Sequence, residues 1–223
     1  MQNVGVYEIL KQTINHMNKL LLVVALATLL SCTDSSKKET TNATQTEEIE
    51  EVVLAEGNRI SALAQQALGG QLKQAISERG VLEAVKFCNV AAYPILDTLT
   101  TGLDAEIKRA SLRPRNPQDA PTDTEGKILE QYQSQLSSSQ ELQPVVEVLD
   151  EQHILYAKPI VMNNPLCLNC HGTVGTQVSD ETNALLKSLY PEDNATGHQL
   201  GDLRGIWSIT FSREDLVAYL NQQ

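Results

Sequence analysis

Positive charge is scarce in this 223-residue chain, which has 17 Lys and Arg residues against 28 Asp and Glu residues and a formal net charge of -11. Binding to nucleic acid phosphates requires a basic face, so this composition argues against a nucleic acid partner. Internal repeats and a second folded domain are also missing from the sequence pattern. Because 41% of the residues are hydrophobic, the chain can still bury one core.

The N-terminal apolar run is too short to cross a membrane. Residues 20–30 form a run of eleven residues, all apolar except Thr28, whereas a membrane-spanning helix needs about 20. The run follows Lys19 and precedes the small residue Ser31, which is the order of a secretory signal. Leu29-Leu30-Ser31-Cys32 resembles the lipobox of bacterial lipoproteins, which implies cleavage before Cys32 and acylation of that cysteine.

These features divide the sequence into three parts. Residues 1–31 are predicted to be a lipoprotein signal peptide, and residues 32–50 the lipidated Cys32 with a flexible tether, because 33–50 contain almost nothing apolar. Residues 51–223 are the predicted folded domain. We therefore expect an exported lipoprotein that is anchored to a membrane, on the periplasmic or outer-membrane side, where disulfides are permitted.

Helical periodicity dominates the first half of the domain. It predicts a helix over 47–79, broken or kinked at Gly69-Gly70, and a second helix after Gly80. The apolar residues of the second helix recur at steps of three and four, so they share one face, and Cys88 is among them. Thr122-x-x-Glu125 has the pattern of a capping box and predicts a helix to Leu136.

Strand patterns are concentrated in the second half. They predict strands at 105–111, 145–149, 153–161 and 203–211, a loop over 163–178, and helices over 181–189 and 212–220. Because helices come first and antiparallel strands mostly follow, we expect an α+β fold with the N-terminal helices packed on one face of a small sheet.

The segment with the most specific chemistry is Cys167-Leu168-Asn169-Cys170-His171. C-x-x-C-H is the attachment signature of c-type haem. Two thiols at this spacing each form a thioether with one vinyl group of the porphyrin, and the adjacent His171 becomes an axial ligand of the iron. Three alternatives stay open: a Cys167–Cys170 disulfide, a thiol redox pair, or a zinc site completed by His171 and Cys88.

The residue on the other side of the iron is less specified by the sequence. Cys88 lies on the apolar face of its helix, where it is either a ligand or a buried core cysteine. His153, His198 and Met162 are further candidates. Arg113, Arg115 and Arg204 are candidates for binding haem propionates, since a guanidinium matches a carboxylate in bidentate fashion, although each is equally an ordinary loop or surface arginine.

Residues 80–211 resemble a family of bacterial PAS-like c-type haem domains, long catalogued as a domain of unknown function. The resemblance rests on segments in a specific order: Ala84-x-x-x-Cys88-x-x-x-Ala92, Lys108-Arg109-Ala110-Ser111, Arg115-Asn116-Pro117, the Cys167–Gly172 motif, Tyr190-Pro191-x-Asp193-x-Ala195-x-Gly197, and Gly201-Asp202-x-Arg204-Gly205-x-Trp207-Ser208. It implies a PAS-like sheet and one covalent haem c ligated by His171 and by a helix cysteine, which is Cys88 by position.

Three functions are compatible with this pattern. The first is a membrane-tethered sensor of redox state or of a diatomic gas, which signals to a protein partner because the chain has no room for a kinase, cyclase or receiver domain. The second is an electron carrier with a permanently six-coordinate haem, whose acidic surface steers it to a basic partner. The third is a small haem peroxidase that uses His198 and Arg204 at an open iron position.

Overall fold

Helix α1 runs from Asp34 to Asp97 in the computed structural model, which describes residues 34–100 and 105–222. The chain divides into two compact units, 1–48 and 49–223. The predicted signal peptide and Cys32 lie outside the described residues. Residues 34–50, predicted to belong to a flexible tether, are helical instead. This segment contains no proline or glycine, and its Ile49 is a buried member of the core of the second unit.

A single glycine divides α1 into two helical segments. Gly80 has φ 82° and ψ 174°, a backbone conformation that is not helical and that favours glycine. The predicted break at Gly69-Gly70 is wrong, because the helix continues through both residues. A glycine in a helix interior lowers stability by only about 1 kcal/mol relative to alanine. The packing of α1 on the sheet offsets this loss.

Four strands form one antiparallel sheet. They are β1 (Ala105–Ala110), β2 (Val145–Val148), β3 (His153–Val161) and β4 (Leu203–Ser212). Their order is β1-β4-β3-β2, so the last strand lies between the first and the third. All four predicted strands are confirmed, with ends within a residue of those expected.

The remaining helices are α2 (Asp123–Ser137), α3 (Leu168–His171), α4 (Asp180–Leu189) and α5 (Arg213–Leu220), with 3-10 turns at Pro117–Asp119 and Pro165–Cys167. The capping box of α2 is confirmed: Thr122 Oγ1 accepts from Glu125 N, and the Glu125 carboxylate accepts from Thr122 N. Ser212 caps α5 as predicted, by accepting from Asp215 N. No helix among the described residues has an apolar stretch that would span a membrane.

Both faces of the sheet are covered, which confirms an α+β fold and corrects the expectation of helices on one face. On one face, Ile107, Tyr156 and Phe211 pack with side chains of α1 and α5. On the other face, Leu155 and Ile206 pack with α2. Alternation along each strand sends successive side chains to these two cores.

A third apolar cluster joins the second segment of α1 to α4. Three side chains are buried together: Val85 of α1, Val178 before α4, and Leu186 of α4. Cys170 packs against them. This cluster holds the segment that contains Cys170 beside the stretch of α1 that contains Cys88. It is therefore the packing contact that brings distant parts of the sequence to one site.

Candidate functional site

A cavity of about 750 Å³ lies where α1, the sheet and α3 meet. This volume is within the range of pockets that bind cofactors. Four of its lining residues are the predicted attachment cysteines and axial ligands of haem: Cys88, Cys167, Cys170 and His171. The fold thus brings the C-x-x-C-H segment and the helix cysteine to one space.

The C-x-x-C-H segment is helical, although it was predicted to be a loop. Asn164 begins this turn, because its side-chain oxygen accepts from Leu166 N (3.0 Å) and Pro165 occupies the first position. The 3-10 turn then continues into α3. Residues three and four positions apart share one side of a helical turn, so Cys167, Cys170 and His171 all reach the cavity.

His171 is held in the form that a metal requires. Its Nδ1 donates to the carbonyl of Ala195 (2.8 Å), and Nε2 has no hydrogen-bond partner among the described residues. Burial, followed by the charges of Arg204 and Arg115, lowers its pKa well below the ordinary value of 6.5. The imidazole is therefore neutral at physiological pH, with Nε2 carrying the free lone pair.

His198 packs against His171 and is not among the residues that line the cavity. The two rings meet edge to face with centroids 6.3 Å apart, and His198 N donates to the carbonyl of His171 (2.8 Å). Both ring nitrogens of His198 are buried without a hydrogen-bond partner, since Asp202 Oδ2 is 3.7 Å from Nδ1. Burial is the main cause that lowers the pKa of His198 to about 4.

Cys88 lies on the second segment of α1 as a half-buried free thiol. Burial raises its pKa, and the positive charges of Arg109 and Arg115 oppose that shift in part. Burial also raises the pKa of Cys170, to about 11. Cys88, Cys170 and Cys167 form no disulfide. The described residues contain no group of three or more His, Cys, Asp or Glu side chains that could hold a metal ion. The disulfide and zinc alternatives gain no support.

The other ligand candidates fall in different places. Met162 is buried and lines the cavity. His153 lies at the exposed start of β3, where its ring contacts the Asp150 carboxylate at 3.0 Å, so it is not part of the site.

The three predicted arginines all stabilise loops. Arg113 donates to the carbonyls of Asn194 and Thr196 and is not among the cavity-lining residues. Arg115 lines the cavity, but its guanidinium pairs with Asp193 (3.2 Å) and donates to the carbonyl of Cys170 (2.5 Å). Arg204 also lines the cavity and donates to Ser111 Oγ (2.9 Å). Their assignment to propionates stays a prediction.

Two cations of the cavity were not predicted from the sequence. Arg109 on β1 and Lys158 on β3 line the cavity. Period-two alternation along β1 was the available signal, because it puts Arg109 on the same face as the core residue Ile107. A charged side chain on the core face of a strand indicates either a buried partner or a ligand.

Comparison with known proteins identifies relatives of the chain. A family model described as Tll0287-like matches residues 11–212. Among solved structures, the cyanobacterial heme-protein Tll0287 matches with a TM-score of 0.53 and 24% sequence identity, covering 75% of this chain and 96% of that one. At this identity the likeness establishes a shared fold. The comparison with curated proteins found no match.

Proposed function

The chain belongs to the Tll0287-like family, and on that premise we propose that its cavity binds one haem c, attached through Cys167 and Cys170, with His171 and Cys88 as axial ligands. One observation carries the proposal: the fold brings these four residues, from two distant segments, to the lining of one cavity. The solved relative in this comparison is described as a heme-protein, which supports the same cofactor.

The residues present fit that group. Two thiols and an imidazole lie on one helical turn, and the imidazole Nε2 has no partner among the described residues. The cavity lining is also cationic, because it contains one carboxylate, Asp119, and four cationic side chains: Arg109, Arg115, Lys158 and Arg204. A porphyrin with acidic side chains matches this combination of thiols, imidazole and positive charge.

Each residue then has a defined task. When bound, haem supplies one-electron redox chemistry and affinity for diatomic gases. The Ala195 carbonyl fixes the tautomer and orientation of His171 and raises its basicity as a ligand. Cys88 binds as thiolate, which requires the metal charge together with Arg109 and Arg115 to overcome the effect of burial on its pKa.

We place this haem protein outside the cytoplasm, anchored through the lipidated Cys32, where it senses redox state or a diatomic gas and passes the signal to a protein partner. The thiolate of Cys88 is the ligand that would leave on reduction or gas binding. Electron transfer with permanent six-coordination is the second candidate, and the cavity supports it equally. The peroxidase alternative is weaker, because His198 does not line the cavity.

Covalent attachment is tested first. The full chain is produced together with a cytochrome c maturation system, denatured in acid and extracted with organic solvent. We expect the haem to stay with wild-type protein and to be extracted from the Cys167→Ala/Cys170→Ala variant. Haem that is extracted from wild type would contradict covalent attachment.

Axial ligation is tested by spectra of ferric, ferrous and CO-exposed protein. Cys88→Ala should lose the thiolate signature and change the ferric spin state, whereas the cavity-lining control Met162→Leu should leave both unchanged. An unaltered Cys88→Ala spectrum would show that Cys88 is not a ligand. A CO-bound ferrous form supports gas sensing, and a ferrous spectrum that CO does not change supports the electron carrier.

A further inference from the structure

The lining of the cavity carries a charge opposite to that of the whole chain. Four of its residues are cationic and one is acidic, an excess of three positive charges, in a chain with a formal net charge of -11. A concentration of one sign in an enclosed space indicates a ligand of the other sign. The question is which of these cations are available to it.

Two of the four cations donate to protein acceptors through more than one hydrogen bond. Arg115 is bound to the Asp193 carboxylate and to the carbonyl of Cys170. Arg204 donates to Ser111 Oγ and to the carbonyl of Arg113 (3.3 Å). Both guanidinium groups hold loops that surround the haem motif, so they act as positioning residues.

Arg109 differs from both. Its Nε is buried without a hydrogen-bond partner. Burying a guanidinium nitrogen without a hydrogen-bond partner costs more free energy than burying a neutral polar group without one. Buried charged groups in proteins are therefore found paired. This unpaired Nε in the cavity lining therefore indicates an anionic ligand.

Lys158 lies in the same row of the sheet. Arg109 is opposite Trp207, and Trp207 is opposite Lys158, so the two cations flank one indole on a single face. Lys158 Nζ donates to Asn58 Oδ1 (3.1 Å), which uses one of its three donors. Residues two strands apart are separated by about 10 Å, a spacing that lets two cations contact two separate carboxylates.

We infer that Arg109 and Lys158 bind the two carboxylates of the cavity ligand, which are the haem propionates if the proposed function above is correct. Arg109 supplies a planar fork that fits one carboxylate in bidentate fashion, and Lys158 supplies a point charge to the other. This inference moves the propionate role from Arg113, Arg115 and Arg204 to a pair of strand residues.

The test distinguishes the contribution of the two carboxylates to binding from the contribution of the rest of the porphyrin. The full chain with Cys167→Ala/Cys170→Ala is titrated with ferric haem and with a haem whose propionates are converted to neutral methyl amides. We expect tighter binding of the acidic haem, by roughly 10-fold for each charged contact. Adding Arg109→Leu and Lys158→Leu should abolish this preference, and Arg109→Lys should restore part of it relative to Arg109→Leu.

Lys127→Leu is the matched control, because it removes one exposed positive charge on α2 that is not among the cavity-lining residues. It should leave the preference unchanged. Circular dichroism of each variant shows whether it is folded. A preference that persists in the folded Arg109→Leu/Lys158→Leu variant overturns the inference while the proposed function stands. Failure of every variant to bind either porphyrin overturns the proposed function as well.

Covalently loaded protein gives an independent readout. Removing a cation beside a carboxylate raises the pKa of that carboxylate. The loss of positive charge also favours the oxidised iron, because that state carries more positive charge than the reduced state. Arg109→Leu should therefore lower the reduction potential and make it vary with pH near neutrality, whereas Lys127→Leu should not. An identical pH profile in Arg109→Leu and wild type would contradict the role of Arg109.

Discussion

Glu125 shows how a single buried charge in this molecule is held by several partners at once. Its carboxylate accepts from Ser208 Oγ (2.6 Å) and Thr122 N (2.7 Å) and pairs with Lys108 Nζ at 3.0 Å. Burial raises the pKa of Glu125, but these hydrogen bonds and the charge of Lys108 outweigh it, so the net shift is downward. One side chain thus links α2 to both β1 and β4.

Replacing Glu125 by Gln should therefore destabilise the fold in a pH-dependent way. A carboxyl whose folded-state pKa is lowered stabilises the protein above its unfolded pKa, and that contribution is lost as the pH falls through the folded value. We expect Glu125→Gln to cost about 1–3 kcal/mol at pH 7, with the gap to wild type narrowing below pH 4.5.

Urea unfolding of the cofactor-free protein at several pH values measures this gap. The control is Glu147→Gln on the exposed side of β2, which should change stability by less than about 0.5 kcal/mol. A constant gap between pH 7 and pH 3 would show that the Glu125 carboxylate is not the stabilising group.

At the scale of elements, a close approach between α1 and β3 depends on a glycine. A Cβ at Gly57 would lie within 2.7 Å of three ring carbons of Tyr156. The ring cannot move away easily, because it is fully buried and its hydroxyl donates to Asn58 Oδ1 (2.9 Å). Gly57 is therefore required by packing, and not by its backbone conformation.

Two glycine substitutions in the same helix should have opposite effects. Gly57→Ala overpacks the contact with Tyr156, and we expect it to destabilise the protein by about 1–3 kcal/mol. Gly70→Ala meets no atom within 4 Å, so it should gain about 0.5–1 kcal/mol from helix propensity. Thermal unfolding of both variants tests this, and equal effects of either sign would contradict the packing role of Gly57.

Elements that depend on local signals were predictable from the sequence, and those that depend on distant contacts were not. The capping box at Thr122 and the alternation of β3 and β4 are encoded within a few residues. The break at Gly80 instead of Gly69-Gly70 depends on where α1 meets α4 and the sheet. The helical turn at 165–171 has a local signal in Asn164, but it also depends on hydrogen bonds that Gly197 N and His198 N donate to the carbonyls of Gly172 and His171, and these distant bonds were not predictable.

At the scale of the whole molecule, the sequence predicted the cysteines and the histidine of the site, but it did not predict which cationic side chains line the site. Cys167, Cys170 and His171 form a contiguous motif, and the family resemblance supplied Cys88. The roles of the arginines depend on acceptors about 80 or 90 residues away, such as Asn194 for Arg113 and Ser111 for Arg204. Only the sheet register reveals that Arg109 and Lys158 flank Trp207.

The second compact unit should fold without the first. A fragment of residues 49–223 keeps the buried side chains Ile49, Val53 and Ile60. We expect it to unfold cooperatively with the urea midpoint of the full chain. A fragment that begins at residue 62 loses these three, at about 1.5–3 kcal/mol each, and should be largely unfolded. Circular dichroism during urea titration measures both, and equal stability of the two fragments would contradict this account of the core.

The central position of β4 has a consequence for the order of events during folding. β4 follows the other three described strands in the sequence, yet it pairs with both β1 and β3, so the sheet closes only after residues 203–212 are available. The hydrogen bonds that join residues 195–198 to His171 and Gly172 also form only after that later part of the chain has been synthesised. Until then the cysteines of α3 and its preceding turn lack their final support, and a reaction at their thiols has its widest access during that interval.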